Sequence, residues 1–353
     1  MQRLLNLRDK LLPDGPDGLL IGSSPNRRYL SGFRGSAGWL LITSSEAYLA
    51  VDFRYVEQAK QETEGFEILH ISGDLEAWLP GLIKKLDISK LGIEADHVAY
   101  STYQSISILS KTAKPPFKLL PVKNMVESLR VVKNGFELAA IQKACKIADD
   151  AIQGIALHLT AGIPEKQVAW ILESMLRQDG SDTLPFEIIV ASGPNAALPH
   201  AQPSGRLICE GEPVIIDLGA RCAGYCSDIT RTFVAGDETE KYNTVYNIVL
   251  GAQMTALSII ENGMSARSAD GLVRDMIVKA GYGEFFGHGL GHGVGLETHE
   301  LPRIGALSGD ILQDGMVFTI EPGIYLPGWG GVRIEDTVTI TEGRVRTLTH
   351  AAK

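Results

Sequence analysis

The sequence predicts an α/β protein of two domains, and three observations carry that expectation. Residues 1–123 alternate short apolar runs with stretches of helical periodicity, as a sheet with crossing helices requires. Beyond residue 134 the order helix, helix, strands occurs twice, which predicts an internally duplicated domain with a site where its halves meet. The length of 353 residues suits two domains, and 44% hydrophobic with 21% charged residues is ordinary for a chain that buries a core.

Composition narrows the function classes. A net charge of −9 without a long basic run argues against a nucleic-acid surface. No apolar run reaches bilayer length, and the N-terminus lacks the apolar core of a signal peptide. Cys145, Cys209, Cys222 and Cys226 fit neither a zinc knuckle nor a disulfide scaffold, so the expected compartment is the reducing cytoplasm.

In the first domain, residues 18–22, 39–43, 47–51, 66–71 and 91–94 read as strands, and 54–64, 75–86 and 101–113 as helices. The glycines of 32–38 do not follow the strand-loop-helix order of a phosphate loop and read as a structural turn. Residues 124–134 are taken as the linker, and 119–123 share its charged, mixed character. The second domain, 135–353, opens on a long helix whose stripe runs through Leu138, Ile141, Cys145, Ala148, Ile152, Ile155 and Leu159. A second helix begins at Pro164 and closes at Gly180, and a strand is expected over 186–191. The order then repeats: helices over 241–262 and 266–280, then strands over 316–321 and 332–341.

The residues that suggest chemistry lie beside or within strand-like runs and in a glycine-rich stretch. Val214, Ile215 and Ile216 form a β-branched run closed by Asp217, and a second run, 229–233, follows Asp228. Paired as a hairpin, the runs can set the two acids opposite each other, where they repel unless a cation lies between. The plainer alternative is a polar hairpin with a salt bridge to Arg221 or Arg231. Cys226 shares strand parity with Asp228 and is either a thiol near the site or a packed core cysteine. His288, His292 and His299 then fall within twelve residues among five glycines, which allow unusual backbone and close approach of a ligand. Glu321 stands before a Pro-Gly turn, and Glu335 shares parity with Arg333 and Thr337, which favours it over Asp336 as the site acid. Four carboxylates and one imidazole would balance two divalent cations, and paired cations roughly 3.5–4 Å apart activate water for hydrolysis.

The ordered set Asp217, Asp228, His292, Glu321 and Glu335 resembles the metallopeptidase family of methionine aminopeptidase, aminopeptidase P and prolidase, whose catalytic domain is the duplicated pita-bread fold. Residues 26–38 and Asp52-Phe-Arg-Tyr55 resemble the creatinase-like N-terminal domain of the proline-specific branch, so the likeness covers the whole chain and is nearest to short bacterial Xaa-Pro peptidases.

The resemblance implies that Asp217 binds one metal, that Asp228 and Glu335 bridge two, and that His292 and Glu321 hold the other. Glu321 would also be the general base. His200 matches the substrate-contacting histidine, His299 the one that stabilises the tetrahedral intermediate, and His288 a further pocket histidine. Arg333 matches an orienting arginine, and Arg303 lies where some prolidases receive the substrate carboxylate.

The implied activity is cleavage of Xaa-Pro bonds in short peptides at a free N-terminus, by a homodimer loaded with manganese, or with cobalt or zinc. A dipeptidase is the leading expectation and an aminopeptidase P acting on longer peptides the alternative. With the chain stopping at Lys353, a pocket rim without the C-terminal extension of some relatives is expected. Methionine aminopeptidase would not need the N-terminal domain, and creatinase works without the metal set. Non-catalytic pita-bread modules that bind partner proteins usually lose ligands, and this chain retains all five.

Overall fold

The computed structural model describes residues 2–11, 15–156 and 158–353, and the chain divides into two units, Met1–Arg130 and Val131–Lys353. The first unit contains helices α1 (Gln2–Arg8), α2 (Ser24–Ser31), α3 (Val56–Glu62), α4 (Leu75–Lys85), α5 (Tyr100–Thr112) and α6 (Glu127–Arg130). Its strands are β1 (Gly18–Ile21), β2 (Trp39–Thr43), β3 (Ala47–Val51), β4 (Glu67–His70), β5 (Lys90–Glu94) and β6 (Lys118–Val122). They form one mixed sheet in the order β4-β3-β2-β1-β5-β6. Leu20, Leu41 and Ile93 of the sheet pack against Leu79 and Ile83 of α4 and Ile106 of α5.

Five of these strands lie where apolar runs predict them. β6 overlaps residues expected to belong with the connector, yet it pairs in parallel with β5 at the sheet's edge. An edge strand has one unpaired side and β6 is only partly buried, with Leu119 on the core, which goes with its mixed composition and tolerates Pro121. α1, α2 and α6 are too short for a periodic stripe to be read. α2 is bounded instead by Pro25 in its first turn and by Gly32 in the left-handed region, φ +81°.

The second unit repeats one pattern. Helices α7 (Gly135–Ala156) and α8 (Glu165–Gln178) cover an antiparallel sheet in the order β11-β8-β7. It is built from β7 (Ile189–Ser192), β8 (Pro213–Leu218) and β11 (Ile229–Val234), with the ribbon β9 (Arg221–Cys222) and β10 (Tyr225–Cys226) between the last two. Helices α9 (Glu240–Ile259) and α10 (Ala266–Lys279) then cover a five-stranded sheet ordered β13-β12-β14-β17-β18. Its strands are β12 (Gly291–Gly293), β13 (Glu300–Ile304), β14 (Val317–Ile320), β17 (Asp336–Thr341) and β18 (Arg344–Thr347), with the ribbon β15 (Gly323–Leu326) and β16 (Gly330–Arg333) between β14 and β17.

Each half has its own core: Ile152, Leu172, Val190 and Ile216 in the first, Val245, Val273, Phe318 and Val338 in the second. Two expected strands are shorter than their apolar runs. The run from 186 becomes β7 only at Ile189, and the run from 332 to 341 breaks between Arg333 and Asp336. Among the described residues no helix is long and apolar enough to cross a membrane.

Candidate metal centre

The two aspartates come from neighbouring strands of the first half. β8 and β11 pair with Asp217 beside Thr230 and Leu218 beside Ile229, so Asp228 stands just past the last pair. The acids are therefore diagonal rather than directly opposite. Asp228 and Thr230 share parity, which brings both to the face that carries Asp217.

His292 comes from β12, which lies between β13 and β14. A Cβ at Gly291 would run into the Thr319 carbonyl, and one at Gly293 into that of Leu301. The glycines at these two positions therefore admit neighbouring backbone, not a ligand. Thr319 anchors the strand by accepting the His292 N–H at 3.1 Å. Glu321 follows β14, with its N–H donating to Leu290 O at 2.8 Å. Glu335 occupies the break between β16 and β17, where its N–H reaches Thr230 O at 3.1 Å and its Oε2 accepts from the Thr230 hydroxyl at 2.6 Å.

The donor atoms converge with little to neutralise them. Ligand atoms of Asp228, His292 and Glu335 lie within 4.8 Å of one another, and His292 Nε2 is 3.5 Å from Glu321 Oε1. Burial pushes the Asp228 and Glu335 carboxyls well above their ordinary range, and the neighbouring carboxylates push them further. Glu321 is raised to about 8, by burial first; Asp217 adds to the rise, while Arg333 and Thr319 oppose it. Burial lowers His292 to about 4, and its Nδ1 faces Gly293 O at 3.2 Å. A carbonyl can only accept, so Nδ1 carries the hydrogen and the Nε2 lone pair faces the acids.

Asp217 Oδ2 accepts from Arg333 Nη2 at 2.7 Å, whereas its buried Oδ1 has no partner. An orphaned carboxylate oxygen, three repelling acids and a free imidazole lone pair together fit a pair of divalent cations.

A cavity of about 430 Å³ is lined by all of these ligands. It also takes in His200, His288, His299 and Arg333, so of the sequence-predicted site residues only Arg303 is outside the lining. Arg303 is an exposed residue of β13, cross-strand from His292. Cys226 is fully buried, with its Sγ 3.8 Å from Leu296 O, and is a packed core cysteine. Neither Arg221 nor Arg231 supplies the alternative salt bridge: Arg231 pairs with Asp336 at 2.8 Å, and Arg333 takes Asp217.

His299 stacks 4.2 Å from the His292 ring, and burial lowers its pKa. His288 is lowered to about 4, again by burial; its Nδ1 donates to Gly289 O at 2.8 Å, and its Nε2 is 2.9 Å from the Tyr325 hydroxyl. Tyr325 in turn accepts from Arg333 Nη1 at 2.9 Å. The neutral His288 therefore accepts from Tyr325.

Sequence reasoning missed Tyr325 and Thr230. Parity with Asp228 was an available signal for Thr230; nothing local marks Tyr325. It also missed the apolar wall of Phe186, Ile188 and Ile189, which a strand reading had absorbed.

Comparison with known proteins adds a second kind of observation. The model of metallopeptidase family M24 matches residues 139–342, and that of the creatinase/prolidase N-terminal domain matches 3–132. The chain is 40% identical over 352 residues to an Xaa-Pro dipeptidase of Pyrococcus horikoshii, spanning 99% of this chain and 96% of that one. A solved Xaa-Pro dipeptidase from Bacillus anthracis superposes with TM-score 0.94 at 41% identity, covering 100% of this chain and 98% of the other. A solved X-Pro aminopeptidase from Thermotoga maritima gives TM-score 0.88 at 37% identity, with 98% of both chains covered.

Proposed function

The chain belongs to metallopeptidase family M24, and from that premise we propose that it hydrolyses Xaa-Pro bonds at the free N-terminus of short peptides, with Xaa-Pro dipeptides as its preferred substrates. Its N-terminal unit is creatinase-like and its larger unit the duplicated pita-bread fold. The activity is assigned to residues 135–353, with 124–134 as linker and 1–123 as the N-terminal domain. The observation that carries the reading is the complete donor set around one cavity, with Asp217 Oδ1 buried and unpartnered.

Asp217, Asp228 and Glu335, with His292 and Glu321, would hold two divalent cations. Manganese is proposed on the oxygen-rich donor set, with cobalt or zinc able to substitute. When bound, the pair supplies an activated water and polarises the scissile carbonyl. Glu321 would take the proton of the attacking water. His299, exposed toward the cavity with its pKa lowered by partial burial, stays neutral and donates a hydrogen bond to the oxyanion of the tetrahedral intermediate. His200 contacts the substrate backbone from the cavity wall. Tyr325 and Arg333 fix His288 and Asp217 respectively.

Proline has a fixed φ and no N–H, so the apolar wall of Phe186, Ile188 and Ile189 can favour its ring without leaving a donor unpaired. Cytoplasmic residence and a homodimer complete the proposal, the first from cysteine usage and the second from the family likeness.

One observation favours a second reading. Arg303 is exposed and outside the cavity lining, so no cation from β13 closes the cavity around a dipeptide carboxylate. An open end suits an aminopeptidase P that accepts longer chains. Turnover of Met-Pro and Met-Pro-Ala by metal-stripped protein resupplied with manganese separates the two. A dipeptidase prefers Met-Pro, the result expected here. Preference for Met-Pro-Ala overturns it in favour of the aminopeptidase, and cleavage of neither with manganese, cobalt or zinc overturns both.

A further inference from the structure

The loop between β7 and β8 supplies His200, with Pro199, Gln202 and Pro203, to the cavity wall. Beyond the single 3₁₀ turn Gly193–Ala197 the loop has no regular secondary structure, so a further device must hold a side chain to the sub-ångström tolerance that substrate contact demands. The device here is Glu165, in the first turn of α8 and fully buried.

Its Oε1 accepts from Ser192 N and Ser192 Oγ, both at 2.8 Å. Its Oε2 accepts from Ser204 N at 3.0 Å and Ser204 Oγ at 2.7 Å. Asn195 Nδ2 lies 3.1 Å from both oxygens. One carboxylate therefore ties the start of the loop, its interior and its end. The donors are all neutral, so no salt bridge accounts for burying the charge. Those hydrogen bonds outweigh burial and hold the carboxyl below its ordinary range. The loop's far side is tied to the metal centre, since Arg333 Nη1 donates to Pro199 O at 3.2 Å while its Nη2 binds Asp217.

We propose that Glu165 is a positioning residue: by clamping both stems of the 192–204 loop it sets His200 against the substrate. This rests on the reading of His200 as a substrate contact.

The test is a double-mutant cycle of Glu165→Gln and His200→Ala, reading KM and kcat for the preferred peptide together with bound metal per chain. Glutamine keeps the shape but turns two acceptor positions into donors facing donors. Expected for E165Q is a KM raised about tenfold, kcat within about twofold of the parent and unchanged metal content, because the clamp shapes binding rather than the metal centre. In the H200A background E165Q adds less than about twofold, since the clamp then has nothing left to position.

A parental KM in folded, metal-loaded E165Q overturns the proposal, and so do fully additive effects or loss of metal. H200A with a parental KM overturns the reading of His200 and the proposal with it, whereas an effective H200A beside a silent E165Q overturns the proposal alone. Should E165Q fail to fold, Ser204→Ala removes one hydroxyl from the same clamp. The same non-additivity with H200A is then expected, with a KM rise of about threefold, and additivity overturns the proposal.

Discussion

Glu335 and Asp336 are adjacent acids, both almost fully buried, with opposite surroundings. Asp336 accepts from Arg231, Thr349, Gln253 and Lys353 at 2.7–2.9 Å. Burial alone would raise its carboxyl, but Arg231 and Lys353 hold it below the ordinary range. Glu335 has the Thr230 hydroxyl and is crowded by other acids. Asp336→Asn leaves Arg231 buried without its counter-charge and is expected to destabilise the fold by about 3–5 kcal/mol while metal stoichiometry is kept. Glu335→Gln should remove metal binding and leave the metal-stripped fold as stable or more so. Denaturant unfolding of stripped protein beside calorimetric metal titration checks both. Strand parity separates the two acids on sequence alone, because their side chains leave opposite faces. Sequence does not indicate that Arg231 on β11 is Asp336's partner, since that contact joins residues 105 positions apart.

The same charges set a pH dependence for the metal-free chain. His288 and His292, lowered to about 4, contribute stability that is lost as pH falls from their unfolded value of about 6.5 and is constant above it. Glu321, raised to about 8, binds its proton more tightly when folded, so its contribution is lost as pH rises from about 4.5 through 8. Between pH 6.5 and 8 only the carboxylate effect remains. The melting temperature of stripped protein should fall across that window, and saturating metal should abolish the fall. A stripped protein that gains stability there would contradict the crowding of acids described here.

At the level of elements, long helices with one apolar stripe and strands buried on one or both faces were legible, because burial writes a period into the sequence. α7 and α9 were read that way, as were β1 to β3. What burial does not pattern was lost: the short α1 and α2, the edge strand β6, and the extended 186–188 segment, which lines the cavity while Ile188 also packs into the core. The glycine-rich stretch was expected to allow unusual backbone and close approach of a ligand; at β12, Gly291 and Gly293 let the strand pass between two backbones. Gly291→Ala or Gly293→Ala should therefore cost about 1–3 kcal/mol of stability by overpacking and weaken metal binding through the displaced His292. Denaturant midpoints and metal affinity of each variant check this. A variant that keeps both would mean that the strand has room to shift.

Across the whole catalytic unit, each half brings its own helix pair and sheet, and the acids lie where the two sheets meet. Asp217 and Asp228 come from the first half, and His292, Glu321 and Glu335 from the second. The seam is polar: Thr230 bonds Glu335, Thr232 bonds the Arg333 backbone, and Arg333 reaches back to Asp217. Arg333 is 3% exposed and donates to Asp217, Tyr325, Thr230 and the Pro199 carbonyl. Lysine keeps the charge but not the planar fork, so Arg333→Lys is expected to lower kcat/KM by at least about tenfold, measured on the preferred peptide.

The repeat of helix, helix, strands was legible because each half buries its own core, and the ligand order was legible because each acid lies within or next to an apolar run. The diagonal offset of the aspartates was not, since it depends on the ribbon β9–β10 between them. If the two halves together hold a pair of cations that hydrolysis requires, bound ion and peptide turnover rise together as metal is titrated into stripped protein. Saturation is expected at two ions per chain and, for Asp228→Asn, loss of turnover with weakened binding. Full turnover with the metal removed, or Asp228→Asn retaining both activity and two tightly bound ions, would contradict that requirement.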